Sequence, residues 1–167
     1  MKHIIYIFFL SIFSIGKLCA QDLSKPPAQT IPHFEFFRAD SKPFTDKDLA
    51  KGKIIFFMFV DPGCSHCQQS IKSIGDNYAA FKKASVYIVS LSDFATFNQF
   101  MTTYGSKVKG QKNVTLLQDK LGQFITKFNP VRYPSMLLYS AQGHLLDYED
   151  DPESISKLVK SINKNAK

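Results

Sequence analysis

The 167-residue sequence contains no tryptophan and only three cysteines. Cys19 lies in an apolar amino-terminal stretch, while Cys64 and Cys67 stand one helical turn apart. A scaffold stapled by several disulfides is therefore excluded, and the core must hold the fold. A zinc site would need two further ligands, but no other cysteine remains, and His33, His66 and His144 show no paired spacing. A c-type haem site is excluded because Gln68, not histidine, follows the second cysteine. No metal and no cofactor is expected. No basic stripe interleaved with aromatics occurs, only a small cluster at Lys107, Lys109 and Lys112. Nucleic acid is thus not an expected partner. The net charge of +7 is instead that of a soluble surface kept away from neutrality.

The apolar runs are short, apart from one at the amino terminus. Lys2 precedes an apolar stretch over residues 4–15, and Leu18-Cys19-Ala20 leads into the polar Gln21-Asp22. This is the pattern of a secretory signal peptide over residues 1–20, cleaved after Ala20, and too short for a comfortable membrane span. Lipid attachment at Cys19 is disfavoured by Lys17 and Leu18. The expected compartment is therefore extracytoplasmic, the periplasm first, where a disulfide can persist. Residues 21–32, with Pro26-Pro27, are expected to form a flexible linker. One domain follows over residues 33–167, without internal repeats.

Within that domain, residues 33–37 and 43–45 read as short strands and 46–50 as a helical turn. Residues 54–60 are continuously apolar, which fits a central strand covered on both faces. Cys67, Ile71, Ile74, Tyr78 and Phe81 then form one stripe at helical spacing. A buried strand follows over 86–91, and Asp93 caps a helix presenting Phe94, Phe97, Phe100, Met101 and Tyr104. After a strand over 114–117, Asp119 is expected to cap a helix burying Leu121, Phe124, Ile125 and Phe128. Residues 136–139 and 144–148 make a hairpin about Ser140-Ala141-Gln142-Gly143. Asp151-Pro152-Glu153 opens a closing helix. This order implies an α/β domain with a mixed central sheet, its early strands parallel and its late hairpin antiparallel.

The chemistry concentrates where the strand over 54–60 gives way to a helix, in Asp61-Pro62-Gly63-Cys64-Ser65-His66-Cys67. A helix amino terminus offers unpaired N–H groups and a positive dipole end, both of which favour a thiolate at Cys64. Cys67 heads the apolar stripe and is expected to face inward. Cys64 is thus the candidate nucleophile and Cys67 the resolving thiol. Pro62 and Gly63 turn the backbone and keep bulk away from Cys64. Ser65 and His66, between the cysteines, are candidates for tuning the pair's redox balance. A structural bridge between them would close a tiny loop and restrain the unfolded chain little.

Over residues 31–163 the chain resembles the thioredoxin-like superfamily, in particular its extracytoplasmic TlpA-type and redoxin branch. The resemblance rests on three ordered features. These are the apolar strand followed by Cys64-Ser65-His66-Cys67, then Tyr133-Pro134-Ser135 entering a strand, and then the late hairpin at residues 140–144. Residues 34–53 resemble the branch's amino-terminal β extension. The resemblance implies a thioredoxin-like fold and a redox-active Cys64–Cys67 disulfide. It also implies a cis peptide bond before Pro134, with the Tyr133 backbone beside the cysteines to pair with an extended substrate. Two departures stand out. Gly63 replaces the family's usual tryptophan, and no buried acid precedes the motif; Asp61 is nearer the turn.

The expected activity is exported thiol–disulfide oxidoreduction on protein thiols and disulfides, by a monomer served by a redox partner protein. Its direction, reduction or oxidation and isomerisation, is left open by His66. One alternative is a peroxiredoxin-like peroxidase. That chemistry wants threonine or serine three residues before the reactive cysteine, where Asp61 stands. The other is a non-enzymatic binding module with a structural disulfide.

Overall fold

The structure is a computed structural model that describes residues 25–166. The expected signal peptide and Cys19 lie outside the described residues. Among the described residues, seven strands and five α-helices follow in order. They are β1 (Glu35–Phe37), β2 (Pro43–Thr45), β3 (Ile54–Phe59), α1 (Ser65–Asp76), α2 (Tyr78–Phe81) and β4 (Ala84–Ser90). Then come α3 (Phe94–Thr103), β5 (Val114–Gln118), α4 (Gln123–Phe128), β6 (Ser135–Tyr139), β7 (Leu145–Glu149) and α5 (Ile155–Asn165).

The strands form one sheet in the order β2-β1-β5-β4-β3-β6-β7. β3, β4 and β5 are parallel, whereas β6 runs antiparallel to β3 and β7 antiparallel to β6. The mixed sheet and the amino-terminal β extension, here the β1–β2 hairpin, are those the sequence pattern implies. β3 explains the arrangement. All six of its residues are buried, so it needs cover on both faces. Ile54, Phe56 and Met58 point to the face covered by α1, α2, α3 and α5. Ile55, Phe57 and Phe59 point to the other, under α4 and β1–β2. This second face is built from aromatic rings: Phe57 lies 5.3 Å from Phe128, 5.3 Å from Tyr87 and 5.7 Å from Phe34, centroid to centroid. Those offset and edge-on contacts are the favoured geometries for ring pairs.

Several expectations need correction. The linker expected over 21–32 is tied to the domain from Ala28 onward. The Ala28 amide donates to the Phe128 carbonyl at 3.0 Å, and Tyr139 donates to the Ala28 carbonyl at 2.9 Å. The Ile31 amide donates to the Gly143 carbonyl and the Leu145 amide to the Gln29 carbonyl, at the turn that closes the β6–β7 hairpin. A proline-rich composition forbids a helix there but says nothing about such docking. The stripe from Cys67 to Phe81 stays buried, but its backbone breaks at Asn77 into α1 and α2. The Asn77 side chain donates to the Ser73 carbonyl at 2.9 Å and so competes with the helical bonding there. Leu121 is 60% exposed rather than inward, because Gly122, at φ 62°, turns the chain before α4 begins. Leu91, expected in the buried strand, lies past the end of β4 and is 44% exposed.

Phe57→Ala is expected to destabilise the protein by about 3–5 kcal/mol, the range for an aromatic deleted from a close-packed core. Equilibrium chemical denaturation measures it, and a loss below about 1 kcal/mol would contradict the central place given to this ring.

Candidate active site

The site lies at the carboxyl end of β3, in the middle of the sheet. β3 makes its last ladder bond through the Val60 amide to the Val89 carbonyl at 2.9 Å, and the chain then leaves the sheet. Asp61 shapes the turn. Its carboxylate accepts from the Gly63 amide at 2.7 Å, and its carbonyl accepts from the Cys64 amide at 3.0 Å. A Cβ on residue 63 would sit 3.2 Å from that carboxylate oxygen, so glycine suits this close approach. Pro62 is half-buried, and its carbonyl accepts from the Gln68 side chain at 3.3 Å, which fastens the turn to α1.

Cys64 is the N-cap of α1. Its Sγ accepts from the Cys67 amide at 3.3 Å, which satisfies one of the helix's orphan donors with sulfur in place of the usual oxygen. A negative charge developing on that sulfur would meet the same N–H and the positive end of a 12-residue helix. Cys67 is wholly buried, in the core cluster with Ile71 and Met58. Burial pushes its thiol well above the usual range, and hydrogen bonding with Cys64 adds to this, while the Asp61 backbone works in the opposite direction. Both cysteines are free thiols in this structure. Ser65 and His66 are exposed on the first turn of α1.

The loop before β6 forms the opposite wall. The Tyr133–Pro134 peptide bond is cis, and Pro134 is buried. The Cys64 thiol donates to the Tyr133 carbonyl at 3.8 Å, across 69 residues of sequence. The Tyr133 ring packs against Phe124, with centroids 6.3 Å apart. Its hydroxyl is pushed up to about 12, first by burial and then by the negative charges of Asp61 and Asp119. The residues singled out in the sequence, Pro62, Gly63, Cys64, Ser65, His66, Cys67, Tyr133 and Pro134, thus lie together at the carboxyl end of β3 and the start of β6. Asp119 was read only as a helix cap. It is 2% exposed at the end of β5, and its carboxylate accepts from the Gln123 amide at 3.0 Å and the Phe124 amide at 2.7 Å. It thereby positions the ring on which Tyr133 rests.

The cysteine pair lines neither of two cavities found in the domain. A cavity of about 640 Å³ lies elsewhere, lined by Ile31, Leu49, Ile55 and Gly143, and one of about 320 Å³ by His33, Asp46, Lys47 and Gln123. A half-buried sulfur beside a backbone carbonyl, outside both cavities, suits a macromolecular substrate better than an enclosed small molecule.

The AhpC/TSA family profile matches residues 27–147, from the docked linker to β7. The chain belongs to the AhpC/TSA family. No curated protein sequence matches it. Among solved structures it is similar to a candidate thiol:disulfide interchange protein DsbE from Chlorobium tepidum, at 18% identity and a TM-score of 0.69, covering 85% of this chain and 99% of that one. A secreted disulfide oxidoreductase from Mycobacterium tuberculosis shares 22% identity with a TM-score of 0.63, over 78% of this chain and 95% of that one. The thioredoxin domain of a thiol-disulfide oxidoreductase from Bacteroides vulgatus shares 21% identity with a TM-score of 0.62, over 81% and 99%. At such identities these likenesses establish the fold, which is thioredoxin-like. In this AhpC/TSA chain the cysteine pair occupies the strand-to-helix junction of that fold.

Two measurements probe the pair. Iodoacetamide at neutral pH is expected to label Cys64 and spare Cys67 until the protein is unfolded; mass spectrometry showing both labelled in the folded state would contradict the burial of Cys67. The raised Cys67 thiol also makes stability depend on pH. The folded state keeps this proton after the unfolded chain has lost it, so stability contributed below about pH 8.5 falls as pH rises above it. Cys67→Ala is expected to flatten that fall in denaturation curves of the reduced protein.

Proposed function

We propose that this protein is an exported thiol–disulfide oxidoreductase that exchanges disulfides with protein substrates through Cys64 and Cys67, with the periplasm as its compartment. One observation carries this reading: an accessible Cys64 sulfur at a helix amino terminus, with a buried Cys67 beneath it and the Tyr133 carbonyl beside it. In the reducing direction the Cys64 thiolate attacks a substrate disulfide. One substrate sulfur leaves as a thiolate and takes up a proton, and the other is held as a mixed disulfide with Cys64. Cys67 then loses its proton and attacks the Cys64 sulfur. The mixed disulfide breaks, the substrate leaves with two thiols, and a Cys64–Cys67 disulfide remains. Two electrons have passed to the substrate, and a redox partner protein restores the dithiol. Run backwards, the same steps oxidise a dithiol substrate.

The buried Cys67 gives this sequence its order. Its thiol is held protonated while Cys64 reacts, so the first attack belongs to Cys64. Tyr133 and Pro134 are placed to line an extended substrate segment, and Pro62 and Gly63 leave the approach to Cys64 open. The loss of bulk at residue 63 widens the face available to a folded or partly folded partner.

The purified protein with dithiothreitol is expected to accelerate insulin disulfide reduction, or to oxidise a reduced substrate protein in its disulfide form. Cys64→Ser is expected to abolish activity, and Cys67→Ser to accumulate mixed disulfides visible on non-reducing gels. Inactivity in both assays would sink the reading. Peroxide consumption without disulfide exchange would put a peroxidase in its place, and a midpoint potential below about −300 mV would mark the pair as a structural bridge.

A further inference from the structure

The loop that carries Tyr133 and Pro134 is fastened from behind by β7. Tyr148 stands opposite Leu137 in the β6–β7 ladder. Ser135 is two residues before Leu137 and so shares its face of the sheet. The Tyr148 ring spans that step. Its hydroxyl oxygen accepts from the Ser135 hydroxyl at 3.1 Å and from the Val131 amide at 3.0 Å. Beside it, Arg132 pairs with Asp150 at 2.8 Å, just past the end of β7. Residues 131, 132 and 135 are therefore held by two side chains from one strand and its extension. Between these anchors lie Tyr133, whose carbonyl faces the Cys64 sulfur at 3.8 Å, and Pro134.

The geometry points to Tyr148 as the positioning residue of the substrate-binding loop: its hydroxyl bridges Val131 and Ser135 and so holds the Tyr133 backbone in register with Cys64. This role rests on the thiol–disulfide exchange reading above and adds to it. The chemistry of the two partners favours the assignment. Ser135 is fully buried, so its hydroxyl needs a partner, and Tyr148 supplies one. Val131 is 51% exposed and belongs to no strand, so Tyr148 is what ties its amide to the sheet. A tyrosine there does two things: its ring packs against the aromatic face of the core, and its oxygen reaches the loop. Phenylalanine would keep the first and lose the second. A substrate disulfide inside an extended polypeptide must pair with the positioned backbone as well as meet the sulfur. A small alkylating reagent needs the sulfur alone. Loss of the Tyr148 hydroxyl is therefore felt by one and not by the other.

The test compares wild-type protein with Tyr148→Phe and Ser135→Ala, using insulin reduction by dithiothreitol, iodoacetamide labelling of Cys64, and thermal unfolding. Tyr148→Phe is expected to raise KM for insulin about fivefold, leave kcat within about twofold, and leave the labelling rate unchanged. Ser135→Ala is expected to move KM in the same direction by less. A folded Tyr148→Phe variant with unchanged KM would overturn the role, as would labelling and kcat that fall as much as kcat/KM. Should Tyr148→Phe fail to fold, Ser135→Ala decides, and an unchanged KM there overturns it equally. An active wild-type protein with unaltered variants defeats the Tyr148 role alone. A wild-type protein inert toward insulin in both directions defeats the exchange reading and the Tyr148 role with it.

Discussion

Burial of β3 on both faces is the constraint on which everything else depends. Six consecutive apolar residues with no alternation cannot lie at an edge or face water. They draw α1, α2, α3 and α5 to one side and the aromatic layer under α4 to the other. They also decide where the chain leaves the sheet. The strand's last bond, at Val60, is followed directly by the Asp61 turn and by Cys64 as the cap of α1. The cysteine pair follows directly on a strand buried along its whole length, which is why the half-buried Cys64 sulfur is so closely placed.

The two cysteines owe their different characters to one helix. Cys64 caps α1 and Cys67 lies in its first turn, so the two sulfurs differ in depth rather than in helix face. Cys64 sits at the end, where the backbone N–H groups are unpaired, and Cys67 falls on the stripe that packs against β3. Desolvation of the second and amide contact with the first follow from position alone. The asymmetry that thiol exchange needs therefore requires no additional acid or base in contact with both sulfurs. The turn that precedes them is held by a carboxylate, Asp61, that also contributes negative charge to the surroundings of Tyr133.

Much of this was legible beforehand because it is local. The order of strands and helices, the inward stripe from Cys67 to Phe81, and the pair at a strand end all follow from periodicity and spacing. What was not legible is contact between distant segments. Nothing in Pro26-Pro27-Ala28 announces that Ala28 will bond to Phe128 and Tyr139. Leu121 has the right spacing for the inner face of a helix, yet Gly122 takes a left-handed conformation and the helix starts after it. Asp119 was visible as a cap, but its burial and its hold on Phe124, and so on the ring beside Tyr133, depend on packing. Tyr148 looked like one more strand residue.

The sequence by itself determined the class of fold, the place of the cysteine pair and which of its members is buried. Those properties depend on residues within a few positions of one another, where helical and strand periods dictate direction. Only the tertiary structure decided what faces Cys64. The Tyr133 carbonyl, the loop's fastening by Tyr148 and Asp150, and the seating of Tyr133 on Phe124 join segments far apart in the chain. Their distances come from how the sheet's strands pair and how its faces fill, which no local pattern encodes.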